Sequence, residues 1–258
     1  MPFPSSPLLL RRYRFESLIG EGAFARVYLV THLELTAPRA LKVLRRDERG
    51  VGSEDFAEYI TRFQLEARLG AQLDHPHVIR IYDFEREEKT IALAMEYAAG
   101  GSLAERIAKA RENKQPFAID EAVRIALEVA EGLAAIHALD VVHRYLKPSN
   151  ILFDAKGNVK VADLGLAQIP GGDSLRSLPS QAKDHPGTPQ YMSPEQSNSK
   201  DYFRAPSDIF ALGCVLFEML TLRVYNNQRP GARAQSLRPD VPHWLDDALA
   251  KMLKENSL

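Results

Sequence analysis

The 258-residue sequence contains a single cysteine, Cys214, so an internal disulfide is excluded and a reducing compartment is indicated. The cysteine lies in the apolar stretch IFALGCVLF, which is typical of a small buried core residue and not of a reactive thiol. Long hydrophobic runs are also lacking, since none approaches the roughly 18 residues that a membrane span needs. We therefore expect a cytoplasmic domain with no membrane contact in this chain, although a longer parent protein could be membrane-anchored.

The sequence also lacks an excess of charge of one sign. The 33 lysine and arginine residues almost balance the 34 aspartate and glutamate residues, for a formal net charge of -1. This balance gives no electrostatic reason to expect a nucleic acid partner. The N-terminal stretch MPFPSSPLLLRRYRF carries its basic residues after the short apolar run, whereas a secretory signal carries them before it. Residues 1–13 are therefore predicted to form a flexible N-terminal tail.

The first hundred residues read as short strands with one helix among them. The stretches RFESLIG and RVYLVTH flank a turn that contains glycine, which predicts a hairpin, and RALKVLRR predicts a third strand. From Phe56 to Gly70 the apolar residues recur on one helical face, with Glu66 at the margin of that face. The stretches VIRIYDF and TIALAMEYA then return to the strand pattern.

After the glycine-marked break AAGGS the sequence becomes mostly helical. A long amphipathic helix is predicted from Val123 to about Leu139, followed by a small hairpin of NILFD and NVKVAD. Residues 171–186 have the polar composition of a mobile loop, and SDIFALGCVLFEMLTL is apolar on too many faces for a surface helix. We expect an α+β, bilobal fold with a β-rich N-lobe at 14–97 and a mainly helical C-lobe at 98–258.

Two glycines, Gly20 and Gly22, lie in the predicted strand-turn-strand stretch IGEGAFARVYLV. Missing side chains there would let backbone N–H groups approach phosphates. Taken alone the signal is weak, because two glycines in a hairpin are more often just a turn. The dinucleotide-binding alternative requires a helix directly after the glycines, and here a strand follows.

Charged and polar residues follow in an informative order. Lys42 lies inside the apolar strand ALKVL, and Glu66 on the next helix could pair with it and aim its ammonium group at phosphate oxygens. Asn150 and Asp163 stand on either side of the predicted hairpin, where an amide oxygen and a carboxylate would suit a magnesium ion. Each residue alone has an ordinary alternative, either a solvent-facing charge or a turn-forming side chain.

In this order and spacing the motifs resemble a eukaryotic-type Ser/Thr protein kinase catalytic domain, most similar to the bacterial branch, from about Arg14 to the C-terminus. The resemblance implies a protein-kinase-like fold, ATP and Mg²⁺ as cofactors, and a protein substrate or a regulated partner kinase. It makes Met95 the gatekeeper and Glu96 to Ala98 the hinge that meets adenine. The ATP-binding residues implied by the resemblance are Gly20, Gly22, Val27, Ala40, Lys42, Glu66, Met95, Glu96 and Ala98.

The resemblance also implies roles in the second lobe. Asn150 and Asp163 would bind the metal, and Lys147 of HRYLKPSN marks the Ser/Thr branch. Arg144 would pair with a phosphate on the activation loop, and Thr188 of GTPQYMSPEQ would face the catalytic loop. The candidates for that phosphate are Ser174, Ser177, Ser180 and Thr188. The structural residues implied are His143, Glu195 and Asp208.

Three departures from the family pattern stand out. The third glycine of the phosphate loop is Ala25, and the sequence stops before the arginine that the family pairs with Glu195, which implies a truncated C-lobe end. The third is Tyr145, which occupies the position of the aspartate that accepts the proton of the substrate hydroxyl. A neutral phenol is a poor proton acceptor, and it is much larger than a carboxylate.

Four hypotheses remain open from the sequence. The preferred one is a domain that binds Mg-ATP but is inactive or strongly impaired in phosphotransfer, either as a natural pseudokinase or because it was disabled at Tyr145. The second is an active Ser/Thr protein kinase in which another carboxylate or a water replaces the missing base. The third is a small-molecule phosphotransferase of kinase-like fold, disfavoured by the GTPQYMSPEQ segment. The fourth is an interaction module that never binds nucleotide.

Overall fold

The computed structural model describes residues 8–22, 25–44, 53–87, 90–164, 189–194 and 204–254. The chain divides into two compact units. The first comprises Met1–His75 and Ile79–Ala99, and the second comprises Pro76–Val78 and Gly100–Leu258. Among the described residues, no helix combines the length and the apolar character required to cross a membrane.

The first unit is built on an antiparallel sheet of six strands in the order β1-β2-β3-β4-β6-β5. One helix, α1 (Ser53–Gln72), follows the fourth strand along the chain. The strands are β1 (Leu8–Leu9), β2 (Tyr13–Glu21), β3 (Ala25–His32), β4 (Ala37–Leu44), β5 (Ile81–Glu87) and β6 (Thr90–Met95).

Strand β6 contributes buried residues to hydrophobic clusters on both faces of the sheet. Its residues Ile91, Ala92, Leu93 and Ala94 are all buried, and successive side chains of a strand point to opposite faces. Ala92 and Ala94 belong to one hydrophobic cluster, whereas Ile91 and Leu93 belong to another. The second cluster includes Phe63 of α1, so this helix covers one face of the sheet.

The N-terminal residues contribute to the sheet. Leu8 and Leu9, which the sequence assigns to a tail, pair with Arg14 and Tyr13 of β2. Tyr13 itself is only 2% exposed. The strand predicted from Val78 begins instead at Ile81, because Val78 makes an isolated parallel bridge to Val161 in the second unit.

The second unit is organised around one buried helix. Among the described residues, its helices with stated bounds are α2 (Leu103–Glu112), α3 (Ile119–His137), α4 (Ala205–Thr221), α5 (Ala234–Leu237) and α6 (His243–Met252). Every residue of α4 from Phe210 to Leu220 is buried, which confirms the prediction that this segment is not a surface helix. Helix α3 packs against α4 and begins at Ile119, four residues before the predicted start, with Asp120 and Glu121 in its first turn where they complement the helix dipole.

A two-stranded hairpin confirms the prediction for NILFD and NVKVAD. Strand β7 (Ile151–Phe153) pairs with β8 (Val159–Val161) in antiparallel register. The turn is closed by Asp154, whose Oδ1 accepts hydrogen bonds from the backbone N–H groups of Lys156 (2.8 Å) and Asn158 (2.9 Å). The predicted loop at 171–186 lies outside the described residues.

Candidate active site

A buried ion pair joins strand β4 to helix α1 in the first unit. Lys42 Nζ lies 2.8 Å from Glu66 Oε1 and 2.7 Å from Glu66 Oε2. The two side chains are 17% and 5% exposed, respectively. The ammonium group also lies 5.8 Å from the ring centroid of Phe63, within the range of a cation–π contact. The pairing expected from the sequence is therefore present, and it fixes the direction of the lysine side chain.

The glycine turn between β2 and β3 is a closed hairpin. Gly22 donates its N–H to the carbonyl oxygen of Ala25 at 2.9 Å. A Cβ on Gly20 would meet the side chain of Val27 at 3.5 Å, so the strand lies close to its neighbour there. Val27 pairs in turn with Lys42 across β3 and β4. Gly20, Val27 and the ion-paired Lys42 are thus held by one continuous sheet.

The residues predicted to meet adenine lie at the end of β6. Met95 is the last residue of that strand and pairs with Ala40 of β4. Glu96 donates its N–H to the carbonyl oxygen of Arg80 at 2.9 Å and accepts the N–H of Arg80 on Oε2 at 3.3 Å. Ala98 is half-buried two residues later.

In the second unit, one carboxylate holds the loop that contains Tyr145. Asp208 of α4 is 1% exposed and accepts the backbone N–H of His143 on Oδ2 and that of Arg144 on Oδ1, each at 2.8 Å. Oδ2 also lies 2.8 Å from His137 Nε2. His143 is fully buried, with its Nε2 3.1 Å from the carbonyl oxygen of Ala162. The loop is therefore attached to the buried helix and to the end of the hairpin.

Tyr145 is half-buried, and both its backbone N–H and its backbone carbonyl oxygen form hydrogen bonds. Its N–H donates to His143 Nδ1 at 3.4 Å, and its carbonyl oxygen accepts from Asn150 Nδ2 at 2.9 Å. Asn150 is 6% exposed, and its carbonyl oxygen accepts the N–H of Ala162 at 2.9 Å. That bond places Asn150 beside the residue that precedes Asp163. Lys147, half-buried, precedes the short 3₁₀ turn that contains Asn150.

The side chains at the open end of the hairpin fit a hard cation. The side-chain amide nitrogen of Asn150 donates to the carbonyl oxygen of Tyr145, so a ligand would bind to Oδ1. Oδ1 also accepts a hydrogen bond from Ser149 Oγ at 3.4 Å. Asp163 has an exposed carboxylate and a left-handed backbone with φ of 70°. Amide and carboxylate oxygens are the ligands that Mg²⁺ prefers, together with water and phosphate oxygens.

A network around the buried Glu218, which the sequence did not predict, holds the segment Pro189–Tyr191. Tyr191 donates its hydroxyl to Glu218 Oε2 at 2.5 Å, and Arg111 Nη2 lies 2.5 Å from Glu218 Oε1. Burial, and then the neighbouring Glu218 carboxylate, raise the pKa of the Tyr191 phenol well above its usual range. Burial likewise raises the pKa of the Cys214 thiol, as expected for a core residue. Thr188 and Glu195 lie outside the described residues.

Comparison with known proteins identifies the family. A family model described as "Protein kinase domain" matches residues 13–243. The chain belongs to the protein kinase family.

The relatives of this kinase domain include protein kinases of bacteria and of human. It is 37% identical over 213 residues to "Serine/threonine-protein kinase PrkC" of Bacillus subtilis, covering 83% of this chain and 31% of that protein. It is 36% identical over 219 residues to "Serine/threonine-protein kinase pkn3" of Myxococcus xanthus, covering 81% and 38%. It is 33% identical over 227 residues to human "Mitogen-activated protein kinase kinase kinase 3", covering 84% and 33%. The chain thus spans about a third of the length of these relatives.

Within this family the two units correspond to the N-lobe and the C-lobe, so the predicted α+β kinase fold is confirmed. Lys42, Glu66 and the glycine turn belong to the N-lobe. Tyr145, Asn150 and Asp163 belong to the C-lobe.

Proposed function

We propose that this kinase domain binds Mg-ATP and transfers phosphate slowly or not at all, because Tyr145 stands where the family pattern has its catalytic aspartate. One observation carries the proposal. The loop around Tyr145 keeps its supporting bonds to Asp208 and Asn150, while the one group that would accept a proton is a phenol. The loop therefore keeps its support, while a phenol stands at its proton-accepting position.

Each lobe carries residues that we propose for nucleotide binding. In the N-lobe, Lys42 is already oriented by Glu66 and would contact the α- and β-phosphates, with Gly20 and Gly22 above them. The adenine would be met by the hinge from Glu96 to Ala98, with Met95 as the gatekeeper. Val27 and Ala40 are the further ATP-binding residues that the family pattern implies. In the C-lobe, Asn150 and Asp163 would supply oxygen atoms for the metal. Bound Mg²⁺ would neutralise phosphate charge during transfer.

The missing base predicts a loss of rate and not of binding. General-base catalysis contributes about 10²- to 10⁴-fold to the rates of enzymes that use it. Phosphoryl transfer depends mostly on positioning and charge stabilisation, and Lys147 is retained as a cation in the catalytic loop. Slow residual turnover is therefore compatible with the proposal, whereas normal turnover is not.

An active Ser/Thr kinase is the second candidate, and the names of the matched relatives favour it. It requires another carboxylate or a water in place of the missing base. Asp154 does not suit this task, because its carboxylate is engaged by three donors, the backbone N–H groups of Lys156 and Asn158 and the side-chain amide of Asn158. The small-molecule phosphotransferase has no support from the relatives named above, which are protein kinases.

The decisive experiment is phosphate transfer from labelled ATP by the native chain, Tyr145→Asp and Lys42→Ala, with autophosphorylation and a basic protein as acceptors. We expect the native chain to be at least about 10²-fold slower than Tyr145→Asp, with Lys42→Ala silent. Equal activity of the native chain and Tyr145→Asp would refute inactivation by the tyrosine.

Nucleotide binding is measured separately by the thermal shift that Mg-ATP produces, since a ligand of the native state must stabilise it. We expect a shift for the native chain and a smaller one for Lys42→Ala. No shift for the native chain would favour the interaction module that never binds nucleotide.

Regulation by phosphorylation is a further part of the proposal. Arg144 would bind a phosphate on the activation loop, at Ser174, Ser177, Ser180 or Thr188. A domain regulated in this way, and itself inactive, would act on a partner kinase.

A further inference from the structure

The glycine turn carries an ion pair across its two strands. Glu21 ends β2 and Arg26 is the second residue of β3, and the two face each other in the antiparallel register. Arg26 Nε lies 3.0 Å from Glu21 Oε1, and the side chains are 19% and 48% exposed, respectively. Arg26 is therefore the more buried partner, and its guanidinium is directed at the carboxylate.

The position of Glu21 gives this pair its significance. Glu21 stands between Gly20 and Gly22, the two residues whose backbone would approach the phosphates of ATP. A carboxylate at that point repels a triphosphate, which carries several negative charges. A guanidinium bonded to the same carboxylate offsets part of that repulsion, because its positive charge lies at hydrogen-bonding distance from the negative one.

The ion pair is not needed to close the turn itself. The bond from Gly22 N–H to the Ala25 carbonyl already closes it, and the ladder of β2 and β3 continues from Gly20 to Tyr13. Ion pairs with this degree of exposure add little to folding stability. The effect of Arg26 should therefore be on the charge of the loop and not on its fold.

We propose that Arg26 is a positioning residue for the nucleotide, which acts by neutralising Glu21 on the loop that covers the triphosphate. The inference rests on the proposed binding of Mg-ATP. It differs from a direct contact, since the guanidinium is engaged by Glu21 and acts on the phosphates through that residue.

Three variants test the idea through the dissociation constants of Mg-ATP, Mg-ADP and adenosine, measured by isothermal titration calorimetry. Arg26→Gln should weaken ATP binding about three- to tenfold, weaken ADP binding less, and leave adenosine binding unchanged. Glu21→Gln should bind ATP at least as tightly as the native chain. The double variant Arg26→Gln/Glu21→Gln should return to native affinity, because it removes the Glu21 carboxylate together with the Arg26 guanidinium. The loss of ATP affinity in Arg26→Gln should become smaller as the salt concentration is raised.

The matched control is Arg14→Gln. Arg14 forms a similar ion pair with Glu16 at 3.1 Å on the same β2 strand, outside the glycine turn. Arg14→Gln removes the same charge from the same lobe. It should not change how the dissociation constant differs between ATP, ADP and adenosine. Urea unfolding of each variant checks that it is folded.

The outcomes separate the inference from the proposed function. A native chain that does not bind Mg-ATP overturns both. A native chain that binds, together with an Arg26→Gln variant of unchanged affinity, overturns the inference alone. An equal loss for adenosine and ATP also overturns it, since that result indicates altered packing and not charge.

Discussion

Asp208 Oδ1 accepts the backbone N–H of Arg144 at 2.8 Å, and Arg144 has a left-handed backbone with φ of 71°. A residue other than glycine pays about 1 kcal/mol or more for this conformation, so it persists only where the surroundings impose it. Here the surroundings are a buried carboxylate on a helix that is itself buried. The backbone directly before Tyr145 is thus fixed by the C-lobe core.

The first prediction concerns that carboxylate. Three donors converge on the two oxygens of Asp208, from His143, Arg144 and His137. Asp208→Asn replaces one oxygen with an NH₂ group, which must then face a donor. We expect the free energy of unfolding to fall by about 2–4 kcal/mol, measured by urea denaturation.

The matched control for Asp208→Asn is Asp120→Asn, which changes an acid in the first turn of α3. It should cost no more than about 1 kcal/mol, from the helix dipole alone. If Asp208→Asn costs as little as this control, the three hydrogen bonds do not hold the loop as described.

The second prediction concerns the ion pair of Lys42 and Glu66. Lys42→Met removes the ammonium group that is paired with the Glu66 carboxylate, whose side chain is 5% exposed. We expect a loss of about 3 kcal/mol in the free energy of unfolding. The double variant Lys42→Met/Glu66→Leu removes both charges and should recover most of that loss. A double variant as unstable as Lys42→Met would mean that packing, and not the isolated charge, is responsible.

The strands and helices of this fold were predictable where a local sequence pattern determines them. The strand pattern and the helical face from Phe56 to Gly70 are periodic in sequence, and Glu66 at the margin of that face predicts its contact with Lys42. Helix α2 was not predicted as an element, although Ser102 and Glu105 form a capping box that is readable as S-x-x-E. That signal was available and would have placed the start of the helix.

Other features could not be predicted because they depend on tertiary packing. His137 and Asp208 are separated by 71 residues, and no local pattern indicates their contact. The contact of Tyr191 with Glu218 is of the same kind. The left-handed backbone conformation at Arg144 is not marked by a glycine in the sequence. The hydrogen bond to Asp208 imposes this conformation.

The third prediction compares two glycines of the C-lobe. A Cβ on Gly100 would lie 2.6 Å from the carbonyl oxygen of Asp154, and Gly100 N–H donates to the Phe153 carbonyl at 2.7 Å. Gly157 has φ of 86° and open space around a Cβ. Gly100→Ala should cost about 2 kcal/mol or more from backbone displacement, and Gly157→Ala only about 1 kcal/mol from its φ. Thermal unfolding of both variants measures the difference, and equal costs would contradict the close approach at Gly100.

The fourth prediction is a pH dependence at Tyr13. Burial, and then the carboxylate of Glu85, raise the pKa of this phenol to about 12. Because the folded chain favours the neutral phenol, its contribution to stability is complete below the ordinary pKa of about 10 and is lost as the pH rises towards 12. Tyr13→Phe keeps the ring but cannot ionise. Between pH 9 and 11 the native free energy of unfolding should therefore fall by about 1 kcal/mol more than that of Tyr13→Phe, measured by urea denaturation. Parallel pH profiles would show that the phenol ionises as readily in the folded chain as in the unfolded one.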